Sequence, residues 1–265
     1  MILYVHTYQR AHKQTTLSNL PPSLMDNTYL VVQEREAEKY EKYEEQGCHL
    51  LILPPEIEKL SPTRQYLLEF HRDNFDPDET LVLLDDDLTF AKRETEGSVK
   101  LTAATGEALA PMFALLDKAI QEDGFVHAGI SAREGNNRIE QPSKEIGRMM
   151  RLLAYNAHKV LELGCRFDRI STKQDFDMTL QLLRKGEKNH ILYDWAHNQA
   201  GSNVTGGVSG YRTPEVQKQD SEKLAELHDG FVDVVKKVTK SSWGGTERFD
   251  VRIGWKKAFN SSQAG

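Results

Sequence analysis

Short apolar runs separated by polar, capped stretches divide the first half of the chain into alternating elements. Ile2–Thr7, Asn27–Gln33, His49–Leu53 and Thr80–Leu84 are rich in Val, Leu, Ile and Tyr. They show little apolar–polar alternation, the pattern of strands buried on both faces of a parallel sheet. Glu34–Gln46 reads as a charged helix stopped by Gly47, a residue suited to the left-handed position after a helix. Ser61 and Pro62 form a cap and first-turn pair for a helix to about Arg72. A helix from Gly106 to Gln121 leads into a further strand, Phe125–Ser131. This alternation predicts an α/β fold with a mainly parallel sheet flanked by helices.

The second half is less regular. Met149–Tyr155 reads as a strand, and His158–Leu163 as a short helix ending at Gly164. Lys173–Lys185 reads as a helix closed by Gly186, and Ile191–Asp194 as a short strand leading into a Gly/Ser/Asn-rich loop at 198–210. Thr213 and Pro214 cap a helix running to about Leu227, and from Lys236 the tail is basic and aromatic. There is no internal repeat and no long linker. The 265 residues are therefore expected to form a single domain with an elaborated C-terminal part.

Composition narrows the function classes. The chain is 38% hydrophobic, enough for a sizeable core, and its formal charge is −6. Such a body is no general polyanion binder, so any contact with nucleic acid needs a local basic patch. Cys48 and Cys165 are too few for a disulfide framework or a cysteine zinc site. No apolar run approaches the roughly 20 residues that span a bilayer. The amino terminus shows no basic-then-apolar leader, so a soluble, cytoplasmic protein is expected.

The chemistry starts at Asp85, Asp86 and Asp87, which follow the apolar run Leu81–Leu84 without a gap. Open α/β sheets bind ligands at the carboxyl ends of their strands. Three adjacent carboxylates there call for a positive partner, and Mg²⁺ or Mn²⁺ with a substrate diphosphate suits oxygen donors. A solvated acidic turn is the plain alternative. Asp175 and Asp177 open the helix that starts near Lys173. They read either as capping groups, Thr172–Asp175 resembling a capping box, or as a general base for an acceptor hydroxyl. His197 precedes the glycine-rich loop and can be a structural imidazole or a ligand for Mn²⁺. Arg10, Lys13 and Arg64 lie near strand ends or a helix start, where arginine suits a diphosphate. The polar segment Ser131–Arg138 cannot be core, and its Arg133, Asn136, Asn137 and Arg138 suit a sugar, a base or a phosphate. In the tail, Lys236, Lys237, Lys240, Arg248, Arg252, Lys256 and Lys257 interleave with Trp243, Phe249, Trp255 and Phe259. That pattern fits phosphate contacts and base stacking, or an amphipathic segment packed on the domain.

Taken in order, Asp85-x-Asp87, Asp175 and His197 resemble the working parts of nucleotide-sugar glycosyltransferases with the GT-A fold. A closer resemblance is to phage TET-associated glycosyltransferases. It rests on the blocks Leu17–Pro22 (LSNLPP), Gly129–Arg138 (GISAREGNNR), Arg148–Tyr155 (RMMRLLAY), Gln174–Arg184 (QDFDMTLQLLR), Trp195–Gly201 (WAHNQAG) and Tyr211–Val216 (YRTPEV). The resemblance implies that Asp85, Asp87 and His197 hold Mn²⁺ or Mg²⁺ on the diphosphate of a UDP-sugar. Thr7, Arg10, Arg64 and Asp86 would sit around that donor. It implies sugar transfer to the hydroxymethyl group of a 5-hydroxymethylpyrimidine in double-stranded phage DNA, 5-hydroxymethylcytosine foremost. The acidic pair usual at the helix start is Glu-Asp and stands here as Gln174-Asp175, which leaves Asp175 as the matching base, with Asp177 beside it. Arg133, Asn136, Asn137, Arg138, Trp195, Lys256 and Lys257 are then expected on the acceptor side. In this reading residues 1–130 form the donor half, 131–235 the acceptor and catalytic half, and 236–265 a basic aromatic tail. A metal-dependent nuclease or phosphotransferase would use the same aspartates and tail without a nucleotide sugar.

Overall fold

The computed structural model describes residues 1–95, 97–199, 213–238 and 247–263. Strands β1 (Ile2–His6), β2 (Thr28–Gln33), β3 (His49–Leu53) and β4 (Leu81–Asp85) pair in parallel in the order β3-β2-β1-β4. Both faces of β1, β2 and β4 are covered, which is why those strands lack alternation, while the edge strand β3 leaves His49 and Ile52 exposed. Along β4, Val82 and Leu84 enter one buried cluster, while Leu81 and Leu83 enter the other. Helix α3 (Ala110–Gln121) covers the first face through Met112, Phe113 and Leu116. Helix α2 (Leu60–Asn74) covers the second through Leu67 and Leu68.

Beyond β4 the sheet becomes mixed. The order continues through β9 (Leu152–Tyr155), β7 (His127–Ala132), β10 (Asn189–Gln199), β5 (Leu88–Arg93) and β6 (Leu101–Ala104), with β8 (Ser143–Glu145) also paired to β10. Strand β9 runs antiparallel to both β4 and β7. The carboxyl end of β4 therefore meets the amino-terminal lead-in of β9, and the Asp85 amide donates to the Arg151 carbonyl at 3.0 Å. Gly129 of β7 permits a close approach to that lead-in. A Cβ there would stand 2.9 Å from the Leu152 carbonyl oxygen and 2.8 Å from the Met149 sulfur.

After short helices α1 (Thr15–Asn19) and α4 (Ala157–Glu162), the C-terminal elements build a third apolar cluster. Helix α5 (Gln174–Arg184) lies between two clusters. It gives Met178 and Leu182 to the sheet, and Phe176, Leu180 and Leu183 to the other side. There it meets Leu224 of α6 (Pro214–Leu227), Val232 of β11 (Val232–Val238) and Ala258 of α7 (Trp255–Ser262), with β12 (Glu247–Ile253) paired antiparallel to β11.

Two expectations need correction, and a third falls outside the described residues. Glu34–Gln46 is not one α-helix but two 3₁₀ segments, Glu34–Lys39 and Glu41–Gln46. The fully buried Tyr40 interrupts them, because its hydroxyl is drawn inward to accept from the Arg10 amide at 3.1 Å. Gly47 does stop the segment at φ +90°. The strand expected at Ile191–Asp194 runs from Asn189 to Gln199, with a bulge between Leu192 and Ala196 where it pairs with β7. Trp195 and His197 thus stand on a strand, not in a loop. Nearly all of the glycine-rich segment expected at 198–210, and Lys240 and Trp243 of the tail, lie outside the described residues.

Candidate active site

The three aspartates leave β4 at the carboxyl edge of the parallel half, and each meets a different fate. Asp85 lies in register with His6 of β1. One of its oxygens takes an ion pair from His6 at 3.1 Å and another from Arg64 at 3.0 Å. Burial pushes its pKa up, but the His6 hydrogen bond and the charges of Arg64, His6 and Arg151 outweigh that. Asp85 stays well below the usual carboxylate range. Asp86 accepts from the Thr7 hydroxyl and from Arg10, both at 2.6 Å. Burial still leaves it raised. Asp87 accepts from Arg10 and from Gln199 Nε2, each at 3.0 Å, through the same oxygen. Its other oxygen, Oδ1, is buried without a partner. Burial, then the charges of Asp85 and Asp86, raise its pKa.

The positive partners that the acidic run demands are thus partly supplied by the chain itself. Arg64 is 2% exposed and is committed to Asp85. Arg10 bridges Asp86 and Asp87. Neither guanidinium stands open toward a ligand as the sequence suggested.

His197 is 1% exposed; no side chain among the described residues hydrogen-bonds its ring, and the Met150 backbone lies within hydrogen-bonding reach of it. Burial, with the nearby Arg151 charge, holds it neutral at a pKa of about 3, while Asp85 pulls the other way. A neutral imidazole with one nitrogen held by backbone can still offer the other to a metal. Two residues on, Gln199 reaches Asp87 from the same strand face. Among the described residues no three His, Cys, Asp or Glu side chains already converge as a metal cage. A cation shared with substrate phosphates needs only one or two protein ligands. The unpartnered Asp87 Oδ1 and the neutral His197, on the strand that brings Gln199 to Asp87, are of the chemical type that kind of site takes.

At the start of α5 the two acids part company. Asp177 is wholly buried. It accepts from Gln181 Nε2 at 3.0 Å, meets His228 Nε2 at 2.7 Å and Arg169 at 3.4 Å. Asp175 is half-buried, and its carboxylate makes no hydrogen bond or ion pair among the described residues. The capping-box expectation fails: the residue before α5 is Lys173 in a left-handed conformation, with no side-chain cap. The Thr172 hydroxyl instead donates to Asp220 of α6 at 2.7 Å. Arg148, exposed and stacked 4.7 Å over Phe176, lies within electrostatic reach of Asp175.

The expected acceptor residues divide. Arg133, Asn137 and Arg138 are exposed. Asn136 is 1% exposed, against the expectation that its segment cannot be core. Its amide donates to Ser131 at 2.6 Å and to the Tyr193 carbonyl at 2.7 Å, stapling the loop to β10. The buried Arg93 of β5 donates to the carbonyls of Glu140, Gln141 and Ile139 and fixes the far side of that loop. Trp195 is buried in the core under Lys92, 6.0 Å from the ring, so it offers little face to a base. Lys256 and Lys257 are exposed on α7. The tail aromatics pack inward: Trp255 meets Phe176 at 5.8 Å, and Phe259 joins the third cluster.

Sequence reasoning missed His6, Arg151, Gln199 and His228. Gln199 was reachable from its two-residue spacing to His197 once β10 is extended. His6 and Arg151 reach Asp85 only through strand register, and His228 only through tertiary packing.

A mixed, mostly parallel sheet with an acidic cluster at the carboxyl end of its fourth strand, flanked by helices, is a GT-A-like architecture. The solved structure of S. aureus TarS residues 1–349 in complex with UDP shares that fold, with a TM-score of 0.51 and 14% identity over 86% of this chain and 65% of that one. The S. aureus TarS 1–349 structure gives a TM-score of 0.46 at 14% identity, over 85% of this chain and 66% of that one. No curated protein sequence matches the chain. Residues 1–207 match the TET-associated glycosyltransferase family, and the chain belongs to that family.

Proposed function

We propose that the protein transfers a sugar from a UDP-sugar, glucose being the first choice, to the hydroxymethyl group of a 5-hydroxymethylpyrimidine in phage DNA. 5-Hydroxymethylcytosine is the favoured acceptor. Family membership and the UDP in the TarS structure support a nucleotide-sugar donor. The observation that carries the reading is the contrast within α5: the open, unpaired Asp175 beside the saturated Asp177. A carboxylate held by no partner is free to take a proton from an acceptor hydroxyl.

In this reading Asp175 receives the hydroxymethyl proton as that oxygen bonds to the anomeric carbon. The bond to the UDP oxygen breaks on the opposite face, and the configuration inverts. Asp87 and His197, with Asp85 close by, would hold Mn²⁺ or Mg²⁺, whose charge would stabilise the departing diphosphate. Thr7 and Arg10 orient Asp86 and Asp87, and Arg64 with His6 holds Asp85 below the usual carboxylate range. Arg133, Asn137, Arg138, Lys256 and Lys257 would meet the DNA.

The test is incubation of the full chain with 5-hydroxymethylcytosine or 5-hydroxymethyluracil DNA, Mn²⁺ and a panel of nucleotide sugars, followed by nucleoside mass measurement. A hexose or pentose mass increment on the modified base is expected. Strand cleavage or phosphorylation without any sugar increment would overturn the reading in favour of nuclease or phosphotransferase chemistry.

A further inference from the structure

Two arginines that the sequence offers to a diphosphate, Arg10 and Arg64, are consumed by the chain's own aspartates. Of the three donor-side cations the sequence offered, Lys13 alone stays exposed. A third arginine stands directly across the sheet. The antiparallel register of β9 on β4 pairs Leu84 with Leu152, and the next hydrogen bond runs from the Asp85 amide to the Arg151 carbonyl. His6, Asp85 and Arg151 therefore form a row across three adjacent strands. Arg151 is half-buried, and its guanidinium makes no hydrogen bond or ion pair among the described residues. It lies within electrostatic reach of both Asp85 and His197. Its backbone is held at φ +67°, a conformation that L side chains rarely adopt. Such strain collects where surrounding structure fixes a side chain for a purpose.

We propose that Arg151 is the diphosphate ligand of the donor site, placed there by the reversal of β9 at the sheet's ligand-binding edge. The proposal rests on the nucleotide-sugar reading above and names the residue that holds the anionic half of the donor. A guanidinium matches two phosphate oxygens at once, and its fixed charge persists at any pH the protein survives.

The test is calorimetric titration of the full chain with UDP and, separately, with uridine, which lacks the phosphates. Arg151→Gly removes the charge and also suits the left-handed backbone, so folding should be retained, as a melting curve checks. Arg151→Lys keeps the charge. The glycine variant should bind UDP about 10- to 100-fold more weakly, the value of a charge-assisted hydrogen bond, with uridine unchanged. The lysine variant should recover part of the loss. Equal weakening of UDP and uridine would make Arg151 a structural residue, and undiminished UDP binding would remove it from the site; either result overturns the assignment. If the unmodified chain binds neither UDP nor uridine, the nucleotide-sugar reading itself falls, and this assignment with it.

Discussion

Replacing Asp177 by alanine should unfold the protein sooner without being the direct blow to chemistry that the same change at Asp175 would be. The Asp177 carboxylate is fully buried and engages Gln181, His228 and Arg169, so the alanine strands three polar partners. Removing one partner of a buried charged cluster typically costs about 3–5 kcal/mol. At about 2 °C per kcal/mol for a chain of this size, the melting temperature should fall by roughly 6–10 °C. Asp175→Asn touches no such network and should stay within about 0.5 kcal/mol of the parent. Its turnover, however, should drop by a factor on the order of 10² to 10⁴, the range for loss of a general base. Melting by circular dichroism, run beside turnover on hydroxymethylated DNA at a temperature where both variants are folded, reads the two effects separately. A normal melting curve with abolished turnover for Asp177→Ala, or an unchanged rate for Asp175→Asn, would refute the division of labour.

Three further outcomes are expected. His71 and His127 are held neutral by burial, at pKa values of about 4 and 3, against 6.5 in an open chain. The unfolded state thus binds more protons below pH 6.5, and stability falls as pH drops from 6.5 toward 4, by about 2–3 kcal/mol per pH unit for the pair. His127→Phe, which keeps the ring stacked on Tyr155, should flatten that limb in a melting series against pH, and an unaltered slope would count against it. Gly129→Ala forces a Cβ to within 2.9 Å of the Leu152 carbonyl, so a loss of about 1–3 kcal/mol is expected from chemical denaturation. An unchanged midpoint would show that β7 and β9 can separate freely. Lys256→Gln with Lys257→Gln should raise the Michaelis constant for DNA and reduce the salt slope by about 2, since two phosphate contacts are lost. A preserved slope would shift acceptor binding to Arg133–Arg138.

The parallel half of the sheet was legible because burial on both faces leaves an unbroken apolar run, as in Leu81–Leu84. The position of the acidic cluster followed from where that run ends. Less legible were elements whose shape depends on distant partners. The Leu88–Ala104 hairpin was overshadowed by the aspartates before it, although Leu88 to Arg93 carries mixed buried and exposed positions. The two 3₁₀ segments at 34–46 depend on where the Tyr40 hydroxyl can bond. At the site, residue types were readable and commitments were not. Sequence identifies Arg10, Arg64, Asp175 and Asp177 as charged, but only the fold shows that Arg10, Arg64 and Asp177 are already engaged while Asp175 is not. The tail aromatics likewise read equally well as stacking platforms or as core, and Trp255 and Phe259 are core.

The family match ends at residue 207, yet α5 is gripped by what comes after it. Asp220 takes hold of Ser171 and Thr172 at the head of the helix. Gln217 accepts from Lys173, His228 closes on Asp177, and the Leu227 carbonyl receives Arg184 at the tail. A chain cut where the match stops would keep every aspartate of the donor edge and Asp175 itself. It would also leave the Asp177 charge walled in without its histidine and the α5 flank stripped of its cover. The C-terminal quarter thus behaves as a splint: besides the lysines it offers to the acceptor, it fixes the helix from outside the donor edge, and without it the proposed base would have no fixed address.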